Sequence, residues 1–394
     1  MSDQRTPQLV DTPFVNELRL GATHWAVVFG LVALAVMLTP RVWKRVERFD
    51  AGPDYRIPYG LSKDYWLYER RLGQLSDPRQ VIVLGDSVIW GEYVLPDGTL
   101  SHFLNREAAG RETFVNGGVD GVYPLALEGL IRYYGGALRG RKILLHCNLL
   151  WLSSPRADLQ DAKEDNLNHP HLLPQVFPRI PSYNADAAER LGAIVERSVG
   201  LLSWAEHLQL AYFGGMSVVD WTLASDGGEP PRHPNAYRDP LAQITLDVPA
   251  APQNDPKRGP QSHRHRPWTA TSEGPTQFEW VALDRSLQWA GFQRLLQLLR
   301  ERGNDVLVVV GPFNEHMMTK ENRAEYRRLR DGAAAWLTEQ RFANVEPEPL
   351  PSALYADASH PLTEGYQLLA ERLLQSGRLS GTEWGSGGEQ MGSR

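Results

Sequence analysis

Between residues 80 and 376 short aliphatic runs alternate with longer stretches of helical periodicity, and no Asn-Gly turn joins one run directly to the next. The runs cover 80–84, 112–116, 141–150, 305–310 and 344–346. Strands joined through helices pair in parallel, by right-handed crossovers, so this alternation leaves few topologies open. The fourth run, DVLVVV, is aliphatic without a break, as a strand covered on both faces requires. The pattern predicts an α/β fold: a three-layer αβα, doubly wound parallel five-stranded sheet. Ligands of such sheets bind at the carboxyl ends of strands, beside the point where the winding reverses.

The intervening helices have readable starts. Thr99 caps a helix running through Leu100, Phe103 and Leu104 to about Gly110, and Pro124 opens one through Leu127, Leu130 and Ile131 to about Leu138. Residues 283–303 form an amphipathic helix with Leu287, Leu295, Leu298 and Leu299 on one side and Gly303 as its stop. Thr319 begins a helix to about Gln340, and Thr363 caps a last one through Leu368, Leu369 and Leu373. Helices are also expected within 187–213, where Leu191, Ile194, Val195 and Val199 recur at helical spacing. Residues 227–275 hold ten prolines and few aliphatics, which predicts an extended or mobile insertion.

A formal net charge of -6 argues against a nucleic-acid partner, which normally needs a basic face. The lone Cys147 excludes an intramolecular disulfide and a cysteine-rich metal site. At the N-terminus, residues 21–40 carry no formal charge, and Ala26 to Leu38 is apolar throughout. Twenty such residues are what a hydrocarbon core of about 30 Å requires, so the segment reads as a single transmembrane anchor. A secretory signal peptide is the alternative, but the segment starts late, lacks a basic leader and is followed by Pro-Arg. A buried core helix is a third reading, disfavoured because nothing on the segment is amphipathic.

The first aliphatic run ends abruptly in Gly85-Asp86-Ser87, with Gly91 four positions on, in the stretch VIVLGDSVIWGEYV. A serine hydroxyl is a poor nucleophile until a base takes its proton, and the base in turn needs an orienting group. The stretch YADASHP supplies both: Asp357 lies three residues before His360, between the last run and the last helix. That spacing lets one tight turn present the carboxylate to one ring nitrogen while the other faces outward, with Pro361 starting the helix. Taken singly, Gly-Asp-Ser is an ordinary strand-ending turn and Asp-x-x-His an ordinary helix start. Their occurrence at the first and last strand ends of one βα pattern favours catalysis.

These blocks resemble the SGNH/GDSL hydrolase superfamily of serine esterases and O-acyltransferases. The resemblance implies a flavodoxin-like sheet, with Ser87 of GDSVIWG as nucleophile and Asp357 and His360 of DASHP as acid and base. VNGGVDG resembles the glycine block, which implies Gly121 in the oxyanion hole, with Gly118 as the alternative register. LLHCNLL resembles the asparagine block and implies Asn148 there, although this chain has His146 where the family pattern has Gly. The oxyanion hole is then the Ser87 and Gly121 N–H groups with the Asn148 amide. No cofactor and no metal are implied.

The resemblance covers 80–150 and about 306–374. Together with the hydropathy and composition of the remaining segments, it divides the chain into an N-terminal tail (1–20), the transmembrane anchor (21–40), a connector that packs against the main domain (41–79), a catalytic domain (80–376) with an insertion at 155–280, and a disordered tail (377–394). It implies a membrane-anchored acyl-ester hydrolase. The alternatives are transfer of an acetyl group to a cell-surface polysaccharide, with a carbohydrate acceptor as partner, and a non-catalytic binding or assembly protein. Surface modification implies an extracytoplasmic domain, whereas Arg41, Lys44, Arg45 and Arg48 after the span imply a cytoplasmic one.

The remaining polar candidates have structural readings. Asp86 organises the turn. Asn314, Glu315 and His316 line the cleft or, more simply, lead into a helix. His263 and His265 have no nearby carboxylate or cysteine cluster and do not suggest a metal site. The aromatics from Trp204 to Trp221 face sugar or lipid, or else pack beneath a long loop.

Overall fold

Each of the five aliphatic runs forms a strand in the computed structural model, which describes residues 20–379 apart from 50, 53, 78, 109–112, 164–166, 225–236, 249–264 and 272–273. The expected tails (1–19 and 380–394), most of the proline-rich stretch, His263, and the Gly110 and Glu112 boundaries lie outside the described residues. The strands are β1 (Gln80–Leu84), β2 (Thr113–Asn116), β3 (Lys142–Cys147), β4 (Asp305–Val310) and β5 (Ala343–Val345). All pair in parallel, in the order β2-β1-β3-β4-β5.

Twelve helices are described, from α1 to α12: Ala22–Val46, Tyr65–Gly73, Ser87–Trp90, Leu100–Glu107, Pro124–Tyr134, Ala187–Ser198, Gly200–Phe213, Val218–Leu223, Pro240–Gln243, Leu287–Glu301, Lys320–Glu339 and Thr363–Gln375. Alternate strand residues enter separate cores. Val81, Val83, Leu307 and Val309 pack with Phe103 and Leu104 of α4 and Leu369 and Leu373 of α12. Ile82, Leu84, Val306 and Val308 pack with Leu127 and Leu130 of α5 and Phe292 and Leu295 of α10. This is the three-layer α/β arrangement that the aliphatic periodicity requires.

Several boundaries differ from the sequence reading. β3 stops at Cys147 because the Asn148 side chain accepts from Leu150 N (3.0 Å) and turns the chain into the short helix Leu149–Leu152. α5 ends at Tyr134, whose following Gly135 closes the turn onto Ile131. α10 starts at Leu287, not 283, because Ser286 caps Trp289 N (2.9 Å) and Asp158 accepts from Leu287 N and Gln288 N. Thr363 is the first residue of α12 and not its cap; Leu362 holds that position without a side-chain bond. Pro361 forms an isolated bridge with Tyr355 instead of opening the helix.

The segment expected to connect anchor and domain is built into the fold. Asp64 caps α2 through Leu67 N (2.9 Å), and Leu67, Tyr68 and Leu72 are buried in the core with α5 and β1. α1 is the one described helix long and apolar enough to cross a membrane, and most of its apolar length is exposed. It continues past Pro40 to Val46, since its last turns have partners: Trp43 meets Trp204 of α7 edge-on, and Lys44 Nζ lies 3.1 Å from Glu69. The aromatics of 204–221 are thereby assigned to packing, with Tyr212 buried and Phe213 against Trp221.

Just beyond α1, Glu47 enters a buried ionic cluster. His207 of α7 bonds Glu47 Oε1 (2.9 Å) through Nε2 and Asp64 Oδ2 (2.6 Å) through Nδ1, while Tyr212 Oη and Arg70 also bind Glu47. Burial alone would favour neutral imidazole, but the two carboxylates prevail and raise His207 to about 9 from 6.5. A folded-state value above the unfolded one means this cluster stabilises fully below about pH 6.5, and the contribution is lost as pH rises through about 9. Thermal unfolding should therefore show a lower midpoint at pH 10 than at pH 7. In the variant His207→Gln the drop between those pH values should shrink; an unchanged drop would show that His207 does not carry it.

Candidate active site

Ser87 is the first residue of α3, directly after β1 and the Gly85-Asp86 pair. Asp86 caps the helix through Val88 N (3.0 Å), and Gly91, with φ of 87°, ends it after one turn. A side chain at 85 would not fit: a Cβ there would lie 2.5 Å from Ile89 Cγ1 and 3.0 Å from His146 Cβ. Arg56, from the segment before α2, closes the other end of α3. Its guanidinium donates to the carbonyls of Trp90 (3.0 Å), Gly91 and Val94 (2.7 Å) and stacks on the Trp90 ring. Tyr366 of α12 donates to Val88 O (2.5 Å). The turn bearing Ser87 is thus held from two separate parts of the chain.

His360 reaches the same point from the loop between β5 and α12. Its Nε2 lies 2.8 Å from Ser87 Oγ, and its Nδ1 lies 2.9 Å from both oxygens of Asp357. Asp357 Oδ1 also accepts from the N–H groups of Ser359 and His360 (3.0 Å each), so the carboxylate shapes the loop as well as the ring. Asn314, wholly buried after β4, braces that loop: its N–H donates to Ala358 O (2.8 Å) and its amide to Asp357 O (3.3 Å). Glu315 pairs with Arg327 and Arg330, and His316 is exposed, so this trio supports or flanks the loop and does not line the cavity.

The electrostatics follow from this packing. Burial favours neutral imidazole at His360, but Asp357, with Asp86 and Asp120 farther off, outweighs it and raises the pKa above 6.5. Burial likewise opposes ionisation of Asp357, yet His360 and the two backbone donors hold it well below the usual carboxylate range. With the imidazole proton on Nδ1, facing Asp357, Nε2 is left to accept the Ser87 proton. That is the hydrogen-bonded chain general-base catalysis requires.

The serine opens into a cavity of about 620 Å³ whose lining includes Asp86, Ser87, Gly121, Asn148, Asp357 and His360. Gly121, with φ of 68°, is one of these residues, and among the described residues no hydrogen bond engages the N–H of Ser87 or Gly121. Gly118, the alternative register, is not in the lining; its N–H donates to Asn116 Oδ1 (3.0 Å), and it packs against Trp90 N. Asn148 lines the cavity with its amide already directed to Asp86 Oδ2 (2.8 Å) and Ser359 Oγ (3.3 Å). Asp86 is fully buried and also accepts from Trp151 Nε1 (2.9 Å). His146 lies beside it, Nδ1 3.6 Å from Asp86 Oδ1, in the place where the family pattern has glycine.

Sequence reasoning missed Glu92, Tyr93 and Asp120. Glu92 Oε2 is 3.0 Å from His360 Nε2, so the ring nitrogen that faces Ser87 also faces a second carboxylate. Tyr93 meets the His360 ring edge-on at 5.2 Å, and Asp120 lines the cavity next to Gly121. The available signal was position: Glu92 and Tyr93 follow the one-turn helix that starts at Ser87. In comparisons with known proteins, no family model and no curated protein matches this chain.

The space around Gly85 gives a direct test. Gly85→Ala must displace Ile89 or His146, an overpacking that typically costs about 1–3 kcal/mol. It should lower the thermal midpoint measurably, while Gly60→Ala, where a Cβ meets nothing within 4 Å, should not.

Proposed function

We propose that this chain is a membrane-anchored serine acyl-ester hydrolase of SGNH/GDSL type, acting through Ser87, His360 and Asp357. The observation that carries the reading is the hydrogen-bonded sequence from Ser87 Oγ to His360 Nε2 and from His360 Nδ1 to Asp357, between residues 273 positions apart. The uncharged, exposed length of α1 supports the anchor.

In this mechanism His360 takes the Ser87 proton as Oγ attacks the acyl carbonyl. The charge that develops on the carbonyl oxygen is met by the N–H groups of Ser87 and Gly121, each such donor typically being worth on the order of 100- to 1000-fold in rate. Asn148 joins them when its longer bond to Ser359 is exchanged for the oxyanion. Protonated His360 then returns its proton to the leaving alcohol, and Asp357 fixes the tautomer and stabilises the imidazolium. Glu92, at the same ring nitrogen, adds to that stabilisation. Water, activated by neutral His360, resolves the acyl-enzyme.

The cavity favours a second reading beside hydrolysis. At about 620 Å³, with Tyr59, Tyr93, Tyr123, Asp120, Arg156 and Lys163 in its lining, it has the size and polarity to hold a polyhydroxylated acceptor next to the acyl group. An acceptor hydroxyl would then replace water, and the product would be an O-acylated carbohydrate on the extracytoplasmic side.

A fluorophosphonate probe should label the wild type and fail to label Ser87→Ala; absence of label from folded wild type, with short-chain p-nitrophenyl esters also untouched, sinks the enzymatic reading. Asp357→Asn should lower kcat/KM about 10⁴-fold through loss of the correct tautomer. Because the base must be neutral, kcat/KM should rise with pH through a midpoint above 6.5. Glu92→Gln should move that midpoint down, since an anion 3.0 Å from Nε2 favours the imidazolium. Transfer would appear as p-nitrophenol release stimulated by a neutral oligosaccharide without matching release of free acid.

A further inference from the structure

The face of the domain beside the foot of α1 exposes a run of aliphatic side chains, interspersed with Asp220, Asp239 and the Arg48–Asp247 ion pair. α7 packs on α1, α8 on α7 and α9 on α8. Arg48 N donates to Leu246 O (2.8 Å), Val248 N to Arg48 O (3.0 Å), and Gln243 Nε2 to Tyr212 O (2.8 Å), so α9 and the segment that follows it gather around residues 43–48, with α8 packed against α9. On this group Val219 is 66% and Leu241 79% exposed, and Met216, Val218, Leu223 and Leu246 are exposed as well.

The height of this face follows from α1. Residues 21–40, at a rise of about 1.5 Å each, are just enough to cross a hydrocarbon layer of about 30 Å. Yet Pro40 is buried, and Val36 and Thr39 are half-buried. The domain therefore covers one side of the last turn of the very segment that must lie within or at the edge of the hydrocarbon, while Met37 and Leu38 stay exposed. A surface held there in water would be expected to be polar. This one presents aliphatic side chains, with the exposed cations Arg41 and Arg45 close by, as suits the boundary between acyl chains and headgroups.

We propose that α8, α9 and the residues flanking them seat in the interfacial layer of the bilayer that α1 crosses, so that the domain rests on lipid. The inference depends on reading α1 as membrane-spanning. Continuity with that helix is what selects lipid as the occupant over a partner protein or a second copy.

Full-length protein carrying a cysteine in turn at Val219, Leu241, Val32 of α1 or Arg328 of α11 tests it. All four positions are exposed, and the native Cys147 is fully buried and out of reach of the label. Each variant is nitroxide-labelled and reconstituted in nanodiscs of phosphatidylcholine and phosphatidylglycerol, and its collision rates with oxygen and with an aqueous nickel chelate are compared. Labels at 219 and 241 should show nickel collision several-fold below that at 328 with oxygen collision raised, between the values at 328 and 32. Equality with 328, or shielding from both reagents by covering protein, overturns the seating. Should the label at 32 also behave as water-exposed, it is the anchor reading that fails.

Discussion

β1 is the element to which the candidate site is referenced. It pairs with β2 on one edge and β3 on the other, so the chain leaves β2, crosses over β1 and resumes at β3. The winding reverses at this strand, and the space beyond its carboxyl end lies between helices on opposite faces of the sheet. Gly117 N donates to Val83 O and Val119 N to Gly85 O, which registers the segment bearing Asp120 and Gly121 against the strand that delivers Ser87. Asn148 arrives from β3 at the next position in the sheet, and the Asp357–His360 loop is tied to the end of β4 through Asn314. Residues from five regions of the sequence meet at one rim because each follows a strand held in parallel register.

A buried carboxylate at the centre of that rim is costly unless its oxygens are satisfied. Asp86 meets the condition through Val88 N, the Asn148 amide and the Trp151 indole, with His146 nearby. Burial opposes its ionisation, but His146, His360 and the Asn148 amide hold its pKa below the ordinary carboxylate value. One anion thus fastens the ends of β1 and β3 together and adds to the field that favours a charged His360. His146 fits beside this carboxylate because Gly85 has no side chain, which leaves room for the imidazole's Cβ.

The parallel sheet was legible because periodicity is a local property: Val306 and Val308 against Leu307 and Val309 announce two buried faces without reference to the rest of the chain. Ser87, Asp357 and His360 were legible because Ser87 directly follows a strand and the Asp-x-x-His pair stands just before the last helix, each within a distinctive local motif. Glu92 was not, since its meaning comes from a contact 268 positions away, between Glu92 and His360. The extension of α1 beyond Pro40 was hidden for the same reason; its partners Trp204 and Glu69 lie on other helices, and tertiary packing overrode the local breaker. In the stretch from 155 to 280 helical spacing announces only the helices within 187–213; α8 and α9 are too short to show a period and start at the caps Ser217 and Asp239.

The ionic knot formed by Glu47, Asp64, Arg70 and His207 ties the residue directly after the apolar helix to the body of the domain with no slack between them. Enzymes tethered by a loose peptide sweep a volume set by tether length and can swivel toward a target from any angle. Here the helix and the domain turn as one piece, so the mouth of the cavity keeps a fixed altitude and heading with respect to the plane that α1 is suited to cross. Under the proposed function, substrates would have to come to that altitude, and geography would select among them before chemistry begins.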